Sequence, residues 1–107
     1  MRDEAAFLDA WKRGVKLAGA KFFGDQTGAG ESKWDLAPRI DDIHNQIGIL
    51  SSTEAVFLAS MVGFYNSHIG GKMWERQHVR GLADVAAGLD HQRREILADL
   101  LLNYPGW

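Results

Sequence analysis

The strongest constraint on the fold is a segment, residues 55–65, that is apolar on nearly every side. It reads Ala-Val-Phe-Leu-Ala-Ser-Met-Val-Gly-Phe-Tyr, and Ser51-Ser52-Thr53-Glu54 precedes it. A serine followed three residues later by a glutamate has the spacing of a capping box, which starts a helix. The pattern therefore predicts a helix over about 53–67. A helix with so little polar surface belongs in the centre of its domain.

Small residues recur at every fourth position of this central helix. Ala55, Ala59 and Gly63 form the series. Residues four apart lie on one face of a helix, and small side chains let a second helix approach closely. We therefore expect this stripe to be a packing groove.

The rest of the chain shows further segments in which apolar residues recur every three or four positions. Three of them predict main helices, over 3–22, about 35–47 and 91–103, and two weaker segments predict short helices, over 72–78 and 81–88. The residues expected to point inward from the last two helices are Leu82, Val85, Ala86, Leu89, Ile96, Leu97, Leu100 and Leu101.

Turn and capping residues mark the expected ends of the first two helices. Gly24 can close the first helix, since glycine favours the residue after a helix end. Asp35 can cap the second helix, with Pro38 in its first turn, where a missing N–H has no cost. We expect Gly48 to end that second helix.

Similar signals mark the helices of the second half. Gly70-Gly71 is expected to break the chain after the central helix. Asp90 is expected to cap the last helix, and Pro105 to terminate it. No stretch alternates with the period of two that a strand needs. The sequence thus predicts an all-α fold, a compact bundle of four main helices plus one or two short ones, as a single domain over residues 1–107.

Composition excludes several classes of function. The chain has no cysteine, which removes disulfides, zinc fingers and thiol nucleophiles. Its 12 basic and 14 acidic residues are spread evenly, so no basic lobe favours nucleic acid. Acidic residues near the N-terminus do not fit a secretory signal, and no apolar run is long enough to span a bilayer. We expect a cytoplasmic protein without a cofactor.

The glycine-rich segment 24–33 superficially resembles a phosphate-binding loop. That loop needs the pattern G-x-x-x-x-G-K-[ST] between a strand and a helix. Here Lys33 does not follow a glycine, Trp34 stands where the hydroxyl residue should be, and the preceding segment is helical. We interpret the segment as a plain surface loop.

Residues 81–103 imitate a helix-turn-helix motif, but imperfectly. The spacing between the alanine and the turn glycine does not fit, and Asp90, Glu95 and Asp99 would repel phosphate. Arg76 and Arg80 lie four apart and could share a helix face. The arginines that would contact nucleic acid are Arg76, Arg80, Arg93 and Arg94. DNA binding stays an alternative that the charge balance disfavours.

The polar residues that could form a small-molecule or metal site are few. Tyr65, Asn66 and His68 follow the apolar helix and could line a ligand pocket, although capping of free carbonyls by Asn66 or His68 is the simpler interpretation. Asp41 and His44 could share a helix face, but two ligands do not make a metal site. No arrangement of a nucleophile with a base is recognisable, so neither a catalytic residue nor a metal site is predicted.

The four tryptophans are the least ordinary feature of so short a chain. Trp11 fits the apolar face of the first helix and is expected in the core. Trp34 and Trp74 follow glycine-rich breaks, and Trp107 is the last residue. Because tryptophan is enriched at protein interfaces, the predicted interaction surface consists of Trp34, Trp74, Tyr104 and Trp107.

The second half of the chain resembles a group of small bacterial proteins. The segments 54–66 and 81–84, the pair Arg93-Arg94 and the closing Tyr104-Pro-Gly-Trp107 are similar to uncharacterised proteins encoded on plasmids and integrative mobile elements. This resemblance implies an accessory protein of mobile DNA and supplies no catalytic residue.

These observations favour a non-enzymatic protein-interaction module that binds itself, as a dimer, or another protein. A DNA-binding accessory protein and a small-ligand-binding helical domain are the alternatives. The oligomeric state would separate the first from the other two.

Overall fold

The computed structural model describes residues 3–24 and 32–107, and helices account for most of them. In chain order the α-helices of this part are α1 (Glu4–Ala18), α2 (Ile40–Gln46), α3 (Ser52–Tyr65), α4 (Ser67–Arg76), α5 (Leu82–Gly88) and α6 (His91–Asn103). Two 3₁₀ helices, Ala20–Phe22 and Ile47–Ile49, extend α1 and α2. The described residues contain no strand, and the predicted all-α bundle is confirmed.

Helix α3 lies at the centre of the bundle, as its composition predicts. The Ser51 hydroxyl accepts a hydrogen bond from the Glu54 N–H at 3.2 Å, and the Glu54 carboxylate accepts one from the Ser51 N–H at 3.0 Å. The expected capping box is therefore present. Every residue from Ala55 to Val62 is buried, because neighbouring helices cover α3 on several sides.

Helix α1 packs its apolar face inward but ends earlier than predicted. Phe7, Trp11 and Val15 are buried, as expected. The α-helix stops at Ala18 because Gly19 adopts a φ of 121°, which a residue with a side chain rarely adopts. The assignment of the helix end to Gly24 was wrong.

The start of the second helix also differs from the prediction. Asp35 does not cap it and Pro38 is not in its first turn, since α2 begins at Ile40. Residues 36–39 instead run beside residues 22–24, which follow α1. The Gly24 N–H donates to the Ala37 carbonyl at 2.8 Å, and Phe23 and Pro38 form an isolated bridge. This tertiary pairing overrides the local signal. Gly48 does not end α2 but lies within the following 3₁₀ helix.

The Gly70-Gly71 pair does not break the chain, which corrects the predicted short helix over 72–78. Asn66 separates α3 from α4 and accepts a hydrogen bond from the Ile69 N–H at 3.0 Å, so α4 starts before the glycines. Helix α4 then continues through both glycines to Arg76. His78 adopts a φ of 61°, a left-handed conformation that ends the helical path.

The last two helices confirm the caps but not every inward residue. The Asp90 carboxylate accepts from the Arg93 N–H at 2.9 Å and caps α6, which ends at Asn103 before Pro105. Three apolar residues that were predicted to point inward are exposed, namely Leu82, Ala86 and Leu101. The buried residues on that side are Val85, Leu89, Ile96 and Leu100, and the other three lie at the surface.

Aromatic rings pack against one another beside α1, and we call them the aromatic cluster (Phe7, Trp11, Phe23 and Trp107). The Trp11 ring lies 4.9 Å from the Trp107 ring and 5.6 Å from the Phe23 ring, measured between centroids. The Trp11 indole N–H donates to the Leu36 carbonyl at 2.9 Å. The prediction that Trp11 is a core residue is confirmed.

Part of the predicted loop 24–33 lies outside the described residues. In the described ranges, no helix has both the length and the apolar character that crossing a membrane requires.

Candidate functional site

An open apolar groove lies on a face of the molecule that no segment of the described residues covers. It encloses a cavity of about 220 Å³ between α3, α4, α5 and α6. We call it the apolar groove and define it by the lining residues Ser60, Gly63, Phe64, Ser67, Gly70, Gly71, Trp74, Leu82, Val85, Leu97 and Leu101.

Close contact between two glycines shapes the floor of the groove. A Cβ atom at Gly70 would overlap the Cα and N atoms of Gly63 and would lie 3.1 Å from the Ala59 carbonyl oxygen. The predicted small-residue stripe on α3 is therefore a helix-packing site, as expected. Gly71 faces open space, so the absence of its side chain leaves room in the groove.

The polar atoms of the groove floor satisfy one another. The Ser60 hydroxyl donates to the Val56 carbonyl at 2.8 Å and accepts from the Trp74 indole N–H at 3.0 Å. Ser60 is buried, with 4% of its surface exposed. Because a buried polar group without a partner is costly, this pair lets the floor stay dry and apolar.

The rim of the groove carries two leucines that project into solvent. Leu82 on α5 is 78% exposed and Leu101 on α6 is 60% exposed. Leu97 is half-buried behind Leu101, and Val85 is buried behind Leu82. A concave apolar surface and two projecting apolar side chains thus share one face of the molecule.

The structure separates Trp74 from the other three residues of the predicted interaction surface. Trp74 lines the groove. Trp107 belongs to the aromatic cluster and also meets Tyr65 edge-on at 5.3 Å. Tyr104 lies on the Phe7 ring at 5.6 Å and donates its hydroxyl to the Phe64 carbonyl.

Trp34 does not line the apolar groove. It lines a second cavity, beside the start of α1. It is 60% exposed, and the Lys33 ammonium lies 4.7 Å from its ring centroid. The same ammonium lies 5.8 Å from the Trp107 ring, so Trp34 and Trp107 are neighbours across Lys33.

The residues of the predicted ligand pocket do not line the apolar groove. Tyr65 packs on Trp107, Asn66 caps α4, and His68 is exposed. Their sequence neighbours Phe64 and Ser67 line the groove instead. Asn66 caps both helices: its backbone N–H donates to the Val62 carbonyl of α3 at 2.8 Å, as the capping interpretation expects, and its side chain accepts from the Ile69 N–H of α4.

Two of the four candidate arginines lie near the end of α4. The Arg76 guanidinium donates to His44 Nδ1 at 3.1 Å, so His44 contacts an arginine. Arg80 lies beyond the end of α4, so the two arginines do not share a helix face, and that expectation was wrong. Its backbone N–H donates to Asp84 at 2.9 Å.

The other two arginines belong to α6 and are held by their own helix and its neighbour. Arg93 pairs with Asp90 and lies over the Phe57 ring at 5.9 Å. Arg94 donates to the carbonyls of Leu89 and Ala86, at the end of α5. Both guanidiniums therefore bind the fold itself.

The described groups with shifted pKa values have structural roles. A hydrogen bond from Arg13 to Asp99, 2.7 Å long, raises the pKa of Arg13 and joins α1 to α6. Hydrogen bonds from Ser51 lower the pKa of Glu54, and hydrogen bonds from Arg93 lower the pKa of Asp90. In the described ranges no three histidine or carboxylate side chains form a metal-binding group.

Comparison with protein-family models, with curated proteins and with solved structures finds no match for this chain.

Sequence reasoning missed most of the groove. The signal that could have found its floor is the combination of the Ala59–Gly63 stripe with Gly70-Gly71, which begins seven residues after Gly63. The signal for its rim is weaker, because Leu82 and Leu101 look like ordinary core positions of amphipathic helices.

Proposed function

We propose that the protein is a non-enzymatic interaction module and that it binds a second copy of itself through the apolar groove. The observation that carries the proposal is the pairing of a half-open apolar cavity with two leucines, Leu82 and Leu101, that are 78% and 60% exposed on its rim. Burying each leucine on association is worth about 1.5–3 kcal/mol.

A second copy suits this face because the face carries both an apolar cavity and projecting apolar side chains. In a dimer with two-fold symmetry, the same patch of both copies forms the interface. A projecting leucine of one copy can then enter the cavity of the other, and the reverse contact forms at the same time. Leu82 and Leu101 supply the projections, and the space above Gly71 and Trp74 supplies the cavity.

The chemistry of the walls favours an apolar side chain over a metabolite as the occupant. Sites for small molecules combine apolar walls with a few free polar groups that orient the ligand. In the groove, the Ser60 hydroxyl and the Trp74 indole N–H are bonded to each other, and Ser60 also donates to Val56. An apolar side chain entering the cavity leaves these bonds intact.

This proposal keeps Trp74 from the predicted interaction surface and replaces the other members with groove residues. Tyr104 and Trp107 pack on the core of their own chain, which reduces the apolar area that they offer to a partner. The role of an accessory protein of bacterial mobile DNA, which the resemblance of the second half implies, remains part of the proposal.

Sedimentation velocity over a range of about 1 to 500 µM tests the self-association. We expect the wild-type chain to shift from monomer to dimer within this range. The double variant Leu82→Lys and Leu101→Lys places two charges on the rim and is expected to stay monomeric. Both positions are exposed, so circular dichroism should show unchanged helix content.

Ile49→Lys is the matched control, since Ile49 is 84% exposed and does not line the groove. It should dimerise as the wild type does. A wild-type chain that is monomeric throughout the range contradicts the proposal. So does a control variant that loses association as completely as the double variant.

A further inference from the structure

A second cavity lies away from the groove, where the start of α1 meets the residues that precede α2. Its volume is about 280 Å³. Its described walls are Glu4, Ala5, Leu8, Ser32, Lys33 and Trp34. Leu8 and Ala5 give it an apolar side, and the exposed ring of Trp34 forms the side opposite the bulk of the protein.

Lys33 distinguishes this cavity from the apolar groove, because it is a charged side chain that is almost fully buried. Only 7% of its side chain is exposed. The ammonium group donates one hydrogen bond to the Gly106 carbonyl. The nearest Glu4 carboxylate oxygen lies at 3.8 Å, which is too long for a hydrogen bond.

The ammonium therefore has one hydrogen-bond acceptor among the described residues, the Gly106 carbonyl. A lysine ammonium has three N–H donors, and Gly106 takes one of them. The Trp34 and Trp107 rings, at 4.7 and 5.8 Å, stabilise the positive charge but accept no conventional hydrogen bond. Buried charges are ordinarily paired and hydrogen-bonded, and Lys33, which lines the cavity, has one hydrogen bond and one long ion pair to the exposed Glu4. This leaves the ammonium with hydrogen-bonding capacity for an anionic group.

We propose that this cavity binds a small monocarboxylic acid with an apolar body. The carboxylate accepts hydrogen bonds from the Lys33 ammonium, and a bond between two charged groups is stronger than one between neutral groups. The apolar body lies between Leu8 and the Trp34 ring. The site is separate from the apolar groove and does not depend on self-association.

Charge and size narrow the class of ligand. Glu4 lies at 3.8 Å from the ammonium and carries a negative charge, which opposes an anion with two charges such as phosphate. A cavity of 280 Å³ lies near the lower end of ligand-binding pockets, so it fits one ring or a short branched chain.

Phenylacetate is a suitable probe, and phenylacetamide is its neutral counterpart. Titration followed by ¹H–¹⁵N NMR should give saturable shifts of the Trp34 indole N–H with phenylacetate, with a dissociation constant of about 1 mM. Phenylacetamide should bind at least about tenfold more weakly, because it cannot pair with the ammonium. Equal binding of the two probes would overturn the proposal, and so would the absence of any saturable shift.

Lys33→Met removes the ammonium and keeps the apolar stem, and it should weaken phenylacetate binding at least about tenfold. Lys21→Met is the matched control, because Lys21 also lies over an aromatic ring, at 5.0 Å from Phe22, but lines no described cavity. The control should bind as the wild type does. An unchanged Lys33→Met variant, or an equal loss in both variants, would overturn the proposal.

Glu4→Gln covers the case in which Lys33→Met fails to fold. Glu4 is 71% exposed, so its amide should not disturb the fold. Removing this competing carboxylate should tighten phenylacetate binding about threefold, an increase that a damaged structure would not produce. Weaker binding in Glu4→Gln would contradict the assigned position of the carboxylate.

Discussion

The aromatic cluster and the apolar groove each contain a hydrogen-bonded tryptophan, but the described chain covers only the tryptophan of the cluster. Trp11 in the cluster is fully buried, bonded to the Leu36 carbonyl and covered by Trp107. Trp74 in the groove is also hydrogen-bonded, to Ser60, yet the described chain leaves the cavity beside it open. The difference lies in what covers each tryptophan rather than in its own contacts.

The cover of the aromatic cluster comes from the segment after α6. Tyr104 and Trp107 return across α1 and place their rings on Phe7 at 5.6 and 6.2 Å. No comparable described segment crosses the groove, where Gly63 and Gly71 leave space instead of filling it. The described chain thus covers the aromatic cluster and leaves the apolar groove open, and the groove is the face that we propose binds a second copy.

The largest predicted effect is the loss of stability when the aromatic cluster is disrupted. Phe7 is fully buried and contacts four other rings, so Phe7→Ala should destabilise the fold by about 3–5 kcal/mol. Leu82→Ala on the groove rim should change stability by no more than about 0.5 kcal/mol, since Leu82 is exposed. Urea unfolding of monomer at low concentration measures both. Similar losses in the two variants would contradict the contrast.

The next effect concerns the glycines under the groove. Gly70→Ala should cost about 1–3 kcal/mol or more, because the new Cβ meets the backbone of Gly63 and not a flexible side chain. Gly71→Ala should instead stabilise the fold by about 0.5–1 kcal/mol, because its Cβ enters open space in a helix. Thermal unfolding of the two variants measures both effects. Stabilisation by Gly70→Ala as well as by Gly71→Ala would contradict the close contact between Gly70 and Gly63.

The smallest effect tests two caps that lie outside both regions. Folding lowers the pKa of Glu54, through the Ser51 hydroxyl and N–H, and that of Asp90, through the Arg93 N–H and guanidinium. A carboxylate with a lowered pKa stabilises the fold above its unfolded pKa and loses that contribution as the pH falls through the folded value. Stability should therefore decline modestly below about pH 4, where both carboxylates take up protons.

Ser51→Ala tests whether the capping box causes part of this decline. It removes the hydroxyl that accepts from the Glu54 N–H and that lowers the pKa of the Glu54 carboxylate. Its acid-induced decline should be smaller than that of the wild type. An identical pH profile in this variant would show that the hydrogen bond from the Ser51 hydroxyl does not contribute to the decline.

The sequence predicts most of the bundle because its strongest signals are local. The capping box at Ser51, the cap at Asp90 and the apolar period of α1 need only neighbours within a few residues. The predicted break at Gly70 failed for a tertiary reason, since its missing side chain serves the contact with Gly63. Local propensity cannot report that partner.

The candidate sites were harder to predict for the same reason. Leu82 and Leu101 lie at apolar positions of amphipathic helices, and only the tertiary contacts show that none of the described helices covers them. Lys33 looks like a surface residue of a polar loop, and its burial depends on Trp34, Trp107 and Gly106. In each case the deciding contacts join residues far apart in the chain.

The most direct test of self-association through the apolar groove is an isotope-filtered NOE experiment on a mixture of ¹³C-labelled and unlabelled chains. Self-association through the groove predicts intermolecular NOEs from the Leu82 and Leu101 methyl groups to Trp74 and Phe64 of the other copy. Intermolecular NOEs from other surfaces only, or none at concentrations where the chain is fully associated, would contradict the account.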